Sequence, residues 1–282
     1  MVTAETIGKI INIFEENSWD TNNEKNYLFD RFTRSLDMLE VDDQEFMIEI
    51  TKKYKQYAFS DYEEMLSECL VEMSKSKYFA PKKGQEIIFA PLLKYSEGEY
   101  SYKETKSSNL MSYLIKADKN SYLKFIGQVN IRAATFLDYE DIGKIKDKKA
   151  SLVLIDDYIG SGNTACESVE SYVKAGVALE DISIISLLID TKGSNLLTEK
   201  NIAFFTSSKK HYTVYDIYED NDELRNRIKR ISRKIGAPKR YYLGYKDTMA
   251  LVSLIRTPNN TLPFYWVTSK KNKGGTPFPR SR

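Results

Sequence analysis

Two cysteines and one histidine are all that the 282 residues offer to soft-metal and thiol chemistry. Cys69 and Cys166 lie far apart, without the short spacing of a zinc site and too few for a disulfide framework, so the pattern points to a reducing, cytoplasmic setting. Cys69 falls on an apolar helix stripe and reads as packing. His211, between Lys210 and Tyr212, reads as a surface residue and supports no Ser-His-Asp arrangement. Long apolar runs are also missing: no stretch nears the roughly 20 residues of a membrane helix, and the N-terminus lacks the basic-then-apolar order of a secretion signal. Net charge is small, +2, but unevenly divided: residues 1–80 hold 9 basic and 17 acidic residues, a balance of −8, which leaves +10 for residues 81–282. An acidic leader fits an interaction surface or merely solvated helix faces, and a basic body fits a phosphate-rich ligand or nucleic acid.

What is present is concentrated in Ser151 to Ala165, SLVLIDDYIGSGNTA. Leu152 to Ile155 form a continuous apolar run, the signature of a strand buried on both faces of a parallel sheet. The strand is expected to end where polarity returns at Asp156 and Asp157. The turn Gly160-Ser161-Gly162-Asn163-Thr164 follows, then a helix from about Thr164. Two glycines let backbone approach a ligand closely, and a helix start presents free N–H groups and a positive dipole end to an anion. Ser161, Asn163 and Thr164 add side-chain donors. The carboxylates suit ribose hydroxyls or waters around Mg²⁺. Phosphate and sugar together suggest a ribose 5-phosphate.

This stretch resembles the phosphoribosyl-pyrophosphate motif of the phosphoribosyltransferases. The resemblance implies that Asp156 and Asp157 hold the ribose 2′- and 3′-hydroxyls, and Mg²⁺ indirectly through ribose or water, while Gly160, Ser161, Gly162, Asn163 and Thr164 wrap the 5′-phosphate. The family commonly has Thr at the position of Gly160 and a small apolar residue at that of Asn163; neither departure removes a backbone N–H. Lys106-Ser107-Ser108, opening a helix after the first strand at Glu86 to Ala90, looks like the pyrophosphate loop. The run Thr257-Pro258-Asn259-Asn260-Thr261-Leu262-Pro263 to Trp266 extends the likeness, most closely to the phosphoribosyltransferase-like effectors of bacterial conflict and anti-phage systems. That group implies partner proteins such as ATPases or reverse transcriptases. Asn259, Asn260 and Trp266 either line the acceptor side of a pocket or form a structural turn and a core indole.

Two rivals share letters with the motif. The first motif of amino-DNA methyltransferases also has an acidic residue before an aromatic and a GSG turn, but Asp190 lies far downstream of the place where its next acidic residue belongs and no Pro-Pro element exists in the chain. A nucleotide P-loop requires Lys after the last glycine, where Asn163 stands. Three function classes therefore stand: transfer or cleavage at the anomeric carbon of phosphoribosyl pyrophosphate, a nucleotide-sensing module acting on a partner, and an S-adenosylmethionine-dependent methyltransferase.

The rest of the chain frames the motif. Residues 1–80 read as a helical region, clearest where Tyr62, Met65, Leu66, Cys69, Leu70 and Met73 keep helical spacing. Residues 81–268 read as an α/β domain with a parallel sheet of phosphoribosyltransferase type, including a helix from Ser107, a strand at Ile182 to Ile189 and short strands at Ile202 to Phe205, Tyr212 to Tyr215 and Leu251 to Ile255. Tyr122 to Val129 and Ile131 to Phe136 read as strands or a helix and strand, and Lys144 to Lys149 as a solvated approach to the central strand. Residues 222–235 form a basic helix able to contact nucleic acid or an acidic partner. Residues 269–282, with five basic and no acidic residues, read as a flexible tail.

Overall fold

The structure, a computed structural model, describes residues 2–19, 27–79, 84–95, 107–117, 130–272 and 275–280. It divides into two compact units, Met1–Ala58 with His211–Arg282, and Phe59–Lys210.

The first unit opens with three helices, α1 (Ala4–Glu16), α2 (Leu28–Asp37) and α3 (Val41–Thr51), and a short strand β1 (Lys55–Gln56). Thr3 caps α1 by accepting the Thr6 N–H at 3.1 Å, and Ile10, Ile13 and Phe14 turn inward. The second unit begins with α4 (Phe59–Lys75), whose expected stripe from Tyr62 to Met73 is buried throughout. Then follow β2 (Glu86–Pro91), α5 (Ser107–Ala117), β3 (Asn130–Ala133), α6 (Tyr139–Lys146), β4 (Ala150–Ile159), α7 (Asn163–Lys174), β5 (Ile182–Ile189), α8 (Thr191–Glu199) and β6 (Ala203–Thr206). The chain returns to the first unit with β7 (Tyr212–Thr213), α9 (Asp222–Lys234), β8 (Ala250–Ser253) and a short α10 (Pro263–Trp266).

The second unit is an α/β layer built on a five-stranded, all-parallel sheet of order β3-β2-β4-β5-β6. Parallel pairing requires crossover connections, and among the described residues α5, α6, α7 and α8 supply them. Chain order steps outward from β2 to β3, then crosses back to β4 and continues to β5 and β6. The direction of winding reverses between β2 and β4, and in open α/β sheets the crevice outside the carboxyl ends of strands at such a point is where ligands bind. Leu152, Leu154, Ile184, Ile142, Ile145, Val169 and Tyr172 belong to one core.

In the first unit β1 runs parallel and β7 antiparallel to β8. Its core is aromatic: Phe32 meets Phe14 at 5.9 Å and Phe264 at 5.7 Å, edge to face, and Tyr54 stacks on Phe278 at 4.9 Å.

Several expectations change. Strand β4 does not stop at Ile155 but carries Asp156 and Asp157 within it. Lys144 and Lys146 belong to the last turn of α6, whose start Asp138 and Asp141 cap reciprocally; the region reads as irregular in sequence because the helix is only two turns long. The Tyr122 to Val129 stretch lies outside the described residues. Helices α1 to α4 occupy the leader as expected, yet α4 belongs to the second compact unit, and the unit boundaries fall at 58/59 and 210/211, away from 80 and 268. The tail is not a loose appendage over its described residues. Phe278 is buried, its N–H bonds to the Tyr265 carbonyl at 2.7 Å, and Asn272 donates to Ser35 at 3.2 Å. Composition pointed to flexibility because one aromatic anchor weighs little among basic and glycine residues.

Candidate functional site

Strand β4 is the middle of its sheet, with β2 on one side and β5 on the other. Pairing with β2 ends at Pro91 opposite Ile155, whereas pairing with β5 continues past Asp156 to Ile159. The last residues of β4 therefore project beyond the carboxyl end of β2. Alternation along the strand puts the two carboxylates on opposite faces. Asp156 shares the face of Leu152 and Leu154 and is half-buried; its Oδ1 accepts the Asp157 N–H at 3.0 Å. Asp157 is buried and accepts the Tyr62 hydroxyl of α4 at 3.0 Å.

A buried carboxylate without hydrogen bonds is costly, and Tyr62 explains how the sheet tolerates one. Tyr62 itself is fully buried, and a buried phenol seeks a polar partner for its hydroxyl; that is the signal by which an apparent core residue belongs to the site. An ionised carboxylate has about four acceptor positions, of which the Tyr62 hydroxyl takes one. Tyr62→Phe is expected to lower the free energy of unfolding by about 2 kcal/mol, the scale of a hydrogen bond to a charged group. Urea denaturation checks this, and an unchanged midpoint would mean that Asp157 is held by other groups.

After Ile159 the chain turns through Gly160, Ser161 and Gly162, all buried, into the 12-residue α7. Gly162 sits at φ +78° as the helix cap, a left-handed conformation that side-chain-bearing residues adopt only with strain. The first α-helical bond runs from the Cys166 N–H to the Gly162 carbonyl at 2.9 Å. The N–H groups of Asn163, Thr164 and Ala165 thus have no acceptor within the helix. Asn163 Nδ2 lies 3.2 Å from Ser161 Oγ, which ties two of the expected side-chain donors together; Thr164 is exposed.

The loop is pressed from behind by Gly193 of α8. A Cβ at Gly193 would stand 2.4 Å from the Gly160 carbonyl oxygen, and one at Gly162 would stand 3.1 Å from the Gly193 carbonyl. Nothing in the local motif announces Gly193. Its signal is a glycine inside an otherwise helical run, which often marks close packing. Asp190, at the end of β5, precedes α8 and is buried; its N–H bonds to the Ile159 carbonyl at 2.9 Å. Burial pushes the Tyr158 phenol well above its ordinary value, and the charge of Asp190 adds to the shift. Burial likewise raises the Cys166 thiol, which packs in the core on the inner side of α7. The Cys69 thiol is raised for the same reason.

Of the expected pyrophosphate residues, Lys106 lies outside the described residues. Ser107 is the first residue of α5, and Ser108 is buried with its carbonyl accepting Ser112 Oγ at 3.4 Å. Asn259, Asn260 and Trp266 belong to the first unit and are structural there. Asn260 Nδ2 donates to the Tyr245 carbonyl at 3.2 Å, the Asn259 carbonyl accepts the Tyr245 N–H at 2.8 Å, and the Trp266 indole donates to the Thr261 carbonyl at 2.7 Å. The basic helix expected at 222–235 is α9, and four of its cations are engaged within the unit: Arg225 on Asp220, Arg227 and Arg230 on Asp43, Lys234 on Glu40.

Among the described residues no group of three His, Cys, Asp or Glu could cage a metal ion. Mg²⁺ is commonly held by one or two carboxylates together with substrate phosphates; Asp156 and Asp157, on opposite faces of β4, would each supply one carboxylate and not a joint pair. No helix among the described residues is long and apolar enough to cross a membrane.

A family model, PRTase-CE, matches residues 36–278, through the whole of the second unit and most of the first. The chain belongs to the PRTase-CE family. It is a phosphoribosyltransferase-type protein, and the strand-loop-helix from Ser151 to Ala165 lies inside the matched span. No curated protein and no solved structure matches it. PRTase-CE membership carries no counterpart for the methyltransferase reading.

Proposed function

We propose that this PRTase-CE protein binds phosphoribosyl pyrophosphate and acts at its anomeric carbon, transferring ribose 5-phosphate to a nitrogen acceptor or cleaving a bound nucleotide. The observation that carries the reading is the junction of β4 and α7 at the winding reversal of the sheet. Two carboxylates lie near the end of that strand, past the end of β2, and a glycine loop follows it into the helix whose first N–H groups have no acceptor within the helix.

In this reading Gly160, Gly162 and the N–H groups of Asn163, Thr164 and Ala165 receive the 5′-phosphate. Asp156 and Asp157 accept hydrogen bonds from the ribose hydroxyls, with Tyr62 fixing Asp157. Ser107 and Ser108, with Lys106, receive the pyrophosphate. Departure of pyrophosphate leaves an oxocarbenium-like sugar, so the protein's work is to position both fragments and to stabilise separated charge. Bound Mg²⁺ supplies charge neutralisation to the leaving group, and Asp156 and Asp157 would hold it through water or the ribose. No side chain has to act as a nucleophile.

A second reading is a nucleotide-sensing module that regulates a partner; what favours it is that Asp157 is buried and already engaged by Tyr62. We place either activity in a cytoplasmic bacterial anti-phage system beside a partner protein such as an ATPase or reverse transcriptase. The support for this setting is the likeness carried by Asn259, Asn260 and Trp266 and by the β4 motif.

Calorimetry with phosphoribosyl pyrophosphate and Mg²⁺ tests the site. The protein should bind, and Asp156→Asn should weaken binding about tenfold or more, since a hydrogen bond to a charged group contributes about 1.5–3 kcal/mol. Asp157→Asn should do the same. Heat from S-adenosylmethionine with silence from phosphoribosyl pyrophosphate would overturn the reading. Binding with no turnover for any nitrogen acceptor, or by hydrolysis, would favour the sensor.

A further inference from the structure

Helix α9 divides its cations between two faces. Arg227, Arg230 and Lys234 are neutralised by Asp43 and Glu40 of the same unit. Arg225, Lys229 and Arg233, at i, i+4 and i+8, share the other face. With Lys239, Tyr242, Leu243 and Asp247 they line a cavity of about 450 Å³ in the first unit. Arg225 is paired with Asp220, so Lys229, Arg233 and Lys239 supply the cavity's unbalanced charge against Asp247.

Arg225 is the anchored member. Its guanidinium holds Asp220 at 2.6 and 2.8 Å, reaches Asp247 at 3.4 Å, and takes the Tyr215 hydroxyl at 3.1 Å. Arg233 lies over the Tyr242 ring, 5.8 Å from its centroid. Lys229 and Lys239 bring their charge to the cavity with no carboxylate among its lining residues beyond Asp247.

Beside the cavity the backbone is in an uncommon state. Gly244, Lys246, Asp247 and Met249 all have positive φ, at +72°, +56°, +56° and +48°, three of them residues that rarely adopt it. The turn is over-determined by its surroundings. A Cβ at Gly244 would stand 2.1 Å from the Asn260 carbonyl oxygen, and Thr248 Oγ1 lies 3.0 Å from the carbonyls of both Tyr245 and Asn260, which share its one proton. Held strain of this kind clusters at ligand clamps and switch regions, and here it sets Asp247 against Arg225 at the cavity wall.

We propose that this cavity is a second phosphate site, separate from the β4 loop, which takes a small di- or triphosphate of about mononucleotide size. Its volume falls within the roughly 300–1,000 Å³ of small-molecule pockets. Its charge calls for a multivalent anion, and the planar fork of Arg233 together with the ammonium groups of Lys229 and Lys239 suits phosphate oxygens. A nucleic-acid track is the less fitting occupant: single-strand grooves follow the backbone with a continuous run of cations and exposed stacking rings. On α9 the neighbouring cations are already paired to Asp43 and Glu40, and the Tyr242 ring is covered by Arg233.

The test uses the full chain, with inorganic tripolyphosphate and ATP as probes in calorimetry at low and moderate salt. One-to-one binding is expected, weakening as salt rises. Lys229→Glu and Arg233→Glu, both at positions accessible to solvent, should each reduce it at least tenfold, and Lys239→Glu gives an independent third variant. Lys174→Glu, an equal change of charge on α7, should leave it unaltered. Asp156→Asn should also leave it unaltered, which separates this site from the β4 loop even if that loop binds no phosphoribosyl pyrophosphate. Equal affinity for the two probes assigns the site to the polyphosphate itself, and tighter ATP binding assigns it to a nucleotide. The proposal is overturned if neither probe binds, if the α9 variants bind as the parent does, or if a single-stranded oligonucleotide binds more tightly than ATP through the same residues.

Discussion

Replacing Gly193 by alanine should lower both the stability of the protein and its affinity for phosphoribosyl pyrophosphate, although the same change in an unconstrained helix raises stability. Within α8 alone, alanine is favoured over glycine by about 0.5–1 kcal/mol. The added Cβ, however, meets the Gly160 carbonyl oxygen at 2.4 Å and the Ile159 carbonyl oxygen at 3.3 Å. Both are backbone atoms and cannot rotate aside as a flexible side chain does. Either α8 or the 160–162 loop has to move, and the loop is the element whose N–H groups define the phosphate cradle. Loss of one hydrogen bond to the charged phosphate costs about 1.5–3 kcal/mol, so the dissociation constant should rise by about tenfold or more. Paired measurements decide it: urea denaturation and calorimetry on the same preparation. A variant more stable than the parent, with unaltered affinity, would show that the loop does not depend on the close approach of α8. Loss of stability with affinity retained would locate the clash on the helix side.

The β4-loop-α7 junction was legible in sequence because three local signals coincide there: an uninterrupted apolar run, a glycine turn and a helical pattern directly after it. The strand at Ile182 to Ile189 and the helix from Ser107 were legible for the same reason. The reach of β4 was not, since a rule that ends strands at polar residues cannot see that Asp156 and Asp157 alternate between faces and that a tyrosine 95 positions earlier answers one of them. Gly193 and Tyr62 act through contacts across the fold, which spacing within a motif does not encode. The first unit was hidden more completely. Its helices α1 to α3 and the Phe278 segment come from opposite ends of the chain, and contacts across the fold, the aromatic core of Phe14, Phe32, Tyr54, Phe264 and Phe278 among them, make them one body.

The uneven charge of the chain finds its explanation in that same unit, and Asp43→Asn should expose it as a loss of about 3 kcal/mol at neutral pH. Removing one member of a buried ion pair costs about 3–5 kcal/mol when the partner is stranded; here Arg227 and Arg230 remain partly solvated, which places the effect at the lower end. Asp43 is buried in the first turn of α3, and Arg230 grips it as a fork, Nε to Oδ2 at 3.0 Å and Nη2 to Oδ1 at 2.6 Å, with Arg227 Nε adding a bond at 3.2 Å. Burial alone would raise the Asp43 carboxyl, but the hydrogen bonds from Arg230 and Arg227 outweigh it and hold the group below its usual value. A carboxyl depressed in the folded state contributes stability that is fully present above its unfolded value, about 3.9, and is lost as pH falls through the folded value. The gap in unfolding free energy between parent and Asp43→Asn should therefore be wide at pH 7 and narrow below pH of about 4. A gap independent of pH would assign the effect to shape instead of charge. With Glu40 on Lys234 at 2.8 Å completing the set, two acidic residues of the leader supply counterions to three cations of α9, so part of the charge split in the sequence is spent inside one unit. What remains uncompensated is the opposite face of α9, where Lys229 and Arg233 meet the cavity.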